Sequence, residues 1–99
     1  MPAVPGQIAD TVGAIAKQLT TTSIWVVHFE VANESGDGST MRLGTSLVAI
    51  ATKLGALLED GDSKYFEPFP FSVQAYNLKD FYIVASGAAK DYTVNYVKG

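Results

Sequence analysis

The chain has 99 residues, of which 47% are hydrophobic and 17% charged, and its net charge is −3. This length provides one small domain, and the absence of cysteine excludes a disulfide framework and any cysteine-based zinc site as sources of stability. A small soluble monomer normally carries a larger charged fraction on its surface, so the apolar surplus indicates burial against copies of the chain or against a partner.

The N-terminal residues 1–11 are predicted to form an extended arm, followed by one β-sandwich domain over residues 12–99. Pro2 and Pro5 disfavour both a helix and a central strand in this arm. The spacing of apolar residues in the segment 12–19 fits either a helical stripe or a strand. A glycine within that segment and three β-branched threonines after it favour the strand.

The strongest predicted element is a strand over residues 23–32, whose side chains alternate in character. Trp25, Val27, Phe29 and Val31 share one face, and this face is wholly apolar. We therefore expect it to point into the core.

Turn and strand signals then alternate along the middle of the chain. Residues 33–39 are rich in glycine, asparagine and aspartate, which predicts a turn. Residues 40–45 form a short alternating strand with Met41 and Leu43 inward. Residues 46–58 fit either a short helix or a loop with a short strand.

The last third of the chain continues this pattern. Residues 59–62 predict a turn, and two prolines within 64–71 predict an edge strand or irregular β segment. Residues 72–76 alternate again, and strands over 81–86 and 92–97 are predicted to pair as a terminal hairpin. The regular recurrence of strands predicts an all-β fold, a small antiparallel β-sandwich or a jelly-roll-like barrel.

The sequence offers little support for catalysis or metal binding. The only histidine, His28, lies within a predicted strand, and no serine occupies a Gly-x-Ser-x-Gly elbow. Asp60 and Asp62 begin a calcium-loop pattern, but Lys64 and Phe71 stand where further oxygen ligands are required. We therefore expect a non-enzymatic protein without a metal ion or cofactor.

Membrane and nucleic-acid partners are also disfavoured. No apolar run reaches the length that spans a bilayer, and no basic segment precedes an apolar stretch as in a signal peptide. The aromatic residues between positions 65 and 76 suggest a stacking platform, but no arginine is interleaved with them and the net charge is negative. These aromatic residues are interpreted as core and interface residues.

Six segments, taken in their linear order, carry a resemblance to a known class of proteins. The segments are residues 19–22, 23–33, 41–44, 60–63, 77–84 and 92–97. Their order resembles that of small β-sandwich proteins that serve as capsid decoration (cement) or head-fibre modules of tailed bacteriophages.

This resemblance implies a homo-oligomeric virion component, a dimer or trimer, that is assembled in the host cytoplasm and carries no catalytic residues. Its partner would be the major capsid protein or another virion protein, and its position the capsid surface. The alternative is a tail, fibre or baseplate module that binds a host receptor or another virion protein.

Five apolar side chains are the candidate interface residues. Val4 and Ile8 would let the arm reach a neighbouring subunit, and Phe66, Phe69 and Phe71 would serve as aromatic anchors.

Overall fold

The computed structural model describes residues 4–46, 48, 53–67 and 76–98. These residues form ten β-strands and a single 3-10 turn at Leu78–Asp80. The strands are β1 (Val4–Val12), β2 (Lys17–Gln18), β3 (Trp25–Val26), β4 (His28–Asn33), β5 (Met41–Gly44), β6 (Ala56–Leu58), β7 (Ser63–Phe66), β8 (Tyr76–Asn77), β9 (Tyr82–Ala85) and β10 (Lys90–Lys98).

Eight of the strands build two antiparallel four-stranded sheets. The first sheet has the order β1-β10-β4-β7 and the second the order β2-β9-β5-β6, while β3 and β8 form a separate ribbon. The first strand thus lies beside the last in one sheet, and β2 lies beside β9 in the other. This strand order is that of a jelly roll, which confirms the predicted all-β antiparallel sandwich.

The core lies between the two sheets, and it follows directly from alternation along the strands. In β4 the inward residues Phe29, Val31 and Asn33 are buried while their neighbours are partly exposed. Met41 and Leu43 point inward from β5, as the sequence predicts. The other fully buried large side chains are Tyr92, Leu58, Leu78, Ile83, Val26 and Val94.

Four aromatic rings from the first sheet, the ribbon and the segment before β9 pack together. Phe29 stacks on Phe66 with ring centroids 4.3 Å apart, and its ring meets the edges of Phe81 at 4.9 Å and Tyr76 at 5.4 Å. Since these residues come from β4, β7, β8 and the approach to β9, the cluster fastens distant parts of the chain to one another.

The interpretation of residues 1–11 as an arm outside the domain is corrected from residue 4 onward. These residues are extended, but Val4–Val12 pairs with β10 along its whole length and forms an edge of the first sheet. An edge position accommodates Pro5, whose nitrogen cannot donate a hydrogen bond. A Cβ atom on Gly6 would overlap the Tyr96 ring, so this ring lies directly against the glycine.

The prediction that Trp25 faces the core is wrong. The long strand expected over 23–32 is interrupted by a bend at Val27, after which the chain joins β4. The bend interrupts the alternation, so Val26 is fully buried and Trp25 is 49% exposed. Trp25 instead pairs with Asn77 in the ribbon of β3 and β8.

The predicted terminal hairpin is also wrong, although both of its strands exist. β9 belongs to the second sheet and β10 to the first, so the residues between them cross from one sheet to the other. Their inward faces are nevertheless as expected, because Ile83 and Ala85 of one sheet and Tyr92 and Val94 of the other belong to one buried cluster.

The remaining ambiguous segments are partly settled. In 12–19 the chain ends β1 and forms only the two-residue β2, and in 46–58 the final residues form β6. Residues 47 and 49–52, on which the helix alternative depends, lie outside the described residues, as do 68–75. The edge strand predicted in 64–71 is present as β7.

The turn after β4 is held by two polar side chains. Buried Asn33 donates through Nδ2 to the carbonyls of Ser39 at 2.8 Å and Leu58 at 3.0 Å. Asp60, from the turn between β6 and β7, accepts hydrogen bonds from the backbone nitrogens of Gly36 at 2.9 Å and Gly38 at 3.0 Å. Asp60 is therefore a clamp between two loops and not a free metal ligand.

This clamp predicts acid sensitivity. The backbone N–H groups of Gly38 and Gly36 lower the pKa of Asp60, and the hydrogen bond from Lys90 lowers the pKa of Asp37. A folded-state pKa below the unfolded value gives stability that is complete above the unfolded pKa of about 3.9 and is lost as the pH falls through the folded one. We expect the melting temperature to fall between pH 5 and pH 2, and less steeply in Asp60→Asn.

The control is Asp80→Asn. The Asp80 carboxylate accepts no hydrogen bond from the described residues. Its melting temperature should follow the wild-type pH dependence. Identical acid profiles for Asp60→Asn and the wild type would contradict the clamp.

Candidate assembly surface

The candidate surface is formed by the open edges of the two sheets. β1 and β7 are the outer strands of the first sheet, and β2 and β6 those of the second. β1 is nine residues long, and no strand among the described residues pairs with its outer side. An unpaired edge offers backbone N–H and C=O groups to another chain, and natural proteins usually blunt such edges with charge.

Three of the six large exposed apolar side chains of the described residues lie on these edge strands. Val4 begins β1 and is 53% exposed, while Leu57 of β6 and Tyr65 of β7 are each 47% exposed. Trp25 lies on the short ribbon strand β3. Leu54 before β6 and Ile15 between β1 and β2 complete the set. The interior strands β4, β5, β9 and β10 contribute no such side chain among the described residues.

The two ends of β1 differ in their surroundings. Near its C-terminal end, the Asp10 carboxylate forms an ion pair with Lys17 of β2 and accepts a 2.8 Å hydrogen bond from its ammonium group. This hydrogen bond lowers the pKa of Asp10. The opposite end carries Val4, which pairs with Lys98, and the nearby hydrogen bond from Val27 to the carbonyl of Val97 places β3 at the same end. The exposed Val4 and Trp25 thus share the end of the first sheet that is remote from the ion pair.

The structure distributes the five predicted interface residues unevenly. Val4 is exposed at an open edge, as an interface residue requires. Ile8 faces inward opposite Val94 and packs against the core. Phe66 is also partly buried, in the aromatic cluster, so the expectation that it is an exposed anchor is corrected. Phe69 and Phe71 lie outside the described residues.

Sequence reasoning missed five of the six exposed large apolar residues, and three of these five, Trp25, Leu57 and Tyr65, lie on strands. Strict alternation, continued across the bend at Val27, places Trp25 wrongly in the core. Leu57 lies in the segment left ambiguous between helix and strand. The exposure of Tyr65 is predictable, because Tyr65 precedes Phe66 on an edge strand and therefore faces away from the core.

A separate depression of about 300 Å³ lies on the outer face of the first sheet. His28 and Tyr65 meet edge to face across it with ring centroids 5.7 Å apart. Glu30 accepts a 3.2 Å hydrogen bond from the Ser63 hydroxyl. Among the hydrogen bonds of the described residues, none joins a serine or threonine hydroxyl to His28, so a nucleophile–base pair is not assembled there.

Two further properties of the described part of the chain bear on function. Residues able to ligate a metal do not gather there in groups of three or more. Nor does that part contain a helix with the length and apolar character needed to cross a membrane.

Comparison with known proteins gives a similar solved structure but no family. No protein-family model and no curated protein matches the sequence. A solved structure described as a Bacillus endospore appendage, from a family of disulfide-linked pili, aligns with 99% of this chain and 88% of its own. The identity is 16% and the TM-score 0.46, so this likeness carries no argument about function.

Proposed function

We propose that the chain is a non-enzymatic virion structural protein, a decoration or cement subunit that stabilises a phage head by bridging capsomers. It would act as a homo-oligomer on the capsid surface, with the major capsid protein as its partner. The observation that carries this proposal is that three of the six large exposed apolar side chains of the described residues, Val4, Leu57 and Tyr65, lie on open edge strands and none lies on an interior strand.

These edges combine two kinds of attraction. The unpaired backbone of β1 can continue the first sheet into another chain, which gives direction to a contact. Val4 and Trp25 then supply apolar surface at one end of that sheet, and Leu57 supplies it on the edge of the other. Tryptophan is prominent among the residues that dominate binding energy at interfaces.

A bridging subunit needs contacts on more than one side, and this fold has open sheet edges on more than one side. Leu57 lies on an edge of the second sheet, whereas β1 and β7 are opposite edges of the first. One edge can therefore contact the shell while another contacts a neighbouring copy. Jelly rolls occur in viral capsid proteins, but they host unrelated functions as well, so the edges and not the fold support the proposal.

The experiment measures binding of purified protein to heads of the phage that encodes the chain, prepared without this subunit. The wild type should bind in hundreds of copies spread over the shell and should raise the temperature at which the heads release DNA. Leu57→Asp should reduce occupancy about tenfold or more, because an interface anchor contributes about 2 kcal/mol. Ala88→Asp adds the same charge to an exposed turn between β9 and β10 and serves as the control.

Occupancy unchanged in Leu57→Asp, or equally reduced in Ala88→Asp, would contradict a role for the β6 edge. A few copies at a single vertex would favour the alternative of a tail, fibre or baseplate module that binds a receptor or another virion protein. The depression on the first sheet is the observation that favours this alternative.

A further inference from the structure

We propose that the outer face of the first sheet binds a neutral saccharide in the depression beside Tyr65. This proposal concerns a sheet face rather than the sheet edges. It therefore goes beyond the assembly function and does not depend on it.

The binding residues form a row across all four strands of the sheet. The pairing register places Gln7 of β1 opposite Asn95 of β10, Asn95 opposite Glu30 of β4, and Glu30 opposite Tyr65 of β7. Since neighbouring strands lie about 4.8 Å apart, the row extends over roughly 14 Å. A short oligosaccharide can lie along a row of this length.

The row combines the groups that recognise a sugar. A pyranose ring presents apolar C–H faces and a rim of hydroxyl groups. Tyr65 offers a ring that is 47% exposed and is oriented by its edge contact with His28. The amides of Gln7 and Asn95 both donate and accept, and the Glu30 carboxylate accepts.

These polar groups are available and partly oriented. Among the hydrogen bonds of the described residues, none engages the side-chain amide of Gln7 or Asn95. The Ser63 hydroxyl occupies one oxygen of Glu30 at 3.2 Å, which directs the carboxylate and leaves its other oxygen for a ligand. A small number of placed polar groups around an apolar surface is the usual composition of a ligand site.

Charge narrows the class of ligand. Within the described residues, the lining of the depression contains Glu30 but no lysine or arginine. An anionic ligand such as a phosphate or a nucleic acid would meet a carboxylate without a compensating cation. A neutral saccharide matches the mixture of amides, carboxylate and aromatic ring without that cost.

The test uses soluble tetrasaccharides of glucose, galactose and N-acetylglucosamine, titrated into the full chain and followed by calorimetry and by NMR. At least one should bind with a dissociation constant below about 1 mM and shift the side-chain amide signals of Gln7 and Asn95. Tyr65→Ala should weaken binding about tenfold, which corresponds to about 1.4 kcal/mol. Glu30→Gln should weaken it about threefold or more, since a charge-assisted hydrogen bond becomes a neutral one.

The control is Trp25→Ala, which removes another half-exposed aromatic ring outside the depression and should leave saccharide affinity unchanged. Failure of all three tetrasaccharides to bind would overturn the proposal. It would also be overturned if Tyr65→Ala bound the saccharide with the same affinity as the wild type. Binding of spermidine at the same residues would also overturn the proposal, because the depression would then be a cation site.

The same variants separate this proposal from the assembly function. Glu30 lies on an interior strand, so Glu30→Gln should lose saccharide affinity and still occupy phage heads. Conversely, Leu57→Asp should lose head binding and keep its saccharide affinity.

Discussion

Replacing Phe29 by alanine is expected to lower the free energy of unfolding by about 3–5 kcal/mol. The side chain is fully buried, and its ring contacts Phe66, Tyr76 and Phe81. The substitution removes a large transfer free energy and leaves a cavity between β4, β7 and the segments around β8. It also removes the ring on which the other three converge, so their mutual packing weakens.

This loss is measured by denaturant unfolding, with Trp25→Ala as the matched aromatic control. Because Trp25 is half exposed, its removal should cost about 1 kcal/mol or less. A loss below about 1 kcal/mol for Phe29→Ala would show that the aromatic cluster does not fasten the sandwich.

Replacing Gly55 by alanine is expected to cost about 2–5 kcal/mol, from two separate causes. Gly55 has a φ angle of +104°, a backbone conformation that residues with a Cβ atom rarely adopt. The added Cβ would also lie 2.5 Å from Cγ2 of Val48 and 2.9 Å from the carbonyl oxygen of Leu43. The backbone oxygen cannot rotate away, so β5 or the start of β6 must move.

Gly61→Ala isolates the first cause. Gly61 has φ +86, and a Cβ there meets no atom within 4 Å. Its replacement should therefore cost only the backbone strain, about 1–3 kcal/mol. Equal losses of unfolding free energy for the two variants would mean that the close approach at Gly55 contributes nothing.

Local patterns in the sequence predict most of the strands and their inward faces. Alternation correctly orients Phe29 and Val31 in β4, Met41 and Leu43 in β5, and the inward residues of β9 and β10. Turn chemistry is equally readable, since Gly36, Gly38 and Gly61 all adopt positive φ. These features depend on neighbouring residues, which is why a single sequence reveals them.

The pairing of strands is a property of the whole chain and was harder to predict. Two strands separated by a short glycine-containing segment favour a hairpin, yet β9 and β10 belong to different sheets. A jelly roll places the partner of β10 at the start of the chain and the partner of β9 at β2 and β5. No local signal carries this information, and the N-terminal segment consequently looked like an arm.

The candidate site was predicted only in part, for the same reason. An edge is defined by what a strand lacks, so topology decides which apolar side chains remain exposed. Val4 was selected correctly as an exposed residue, whereas Ile8 and Phe66 turned out to face the core. Trp25 is exposed because the bend at Val27 reverses the face on which its side chain lies.

The most direct test of the edge-assembly account is the mass of the purified chain in solution, measured by light scattering over a range of concentrations. The wild type should form a defined dimer or trimer. The double variant Trp25→Asp/Leu57→Asp should be a monomer, while Ala88→Asp should keep the wild-type mass. All three chains should retain far-ultraviolet spectra of a β-sandwich. A wild type that stays monomeric at every concentration would contradict the account.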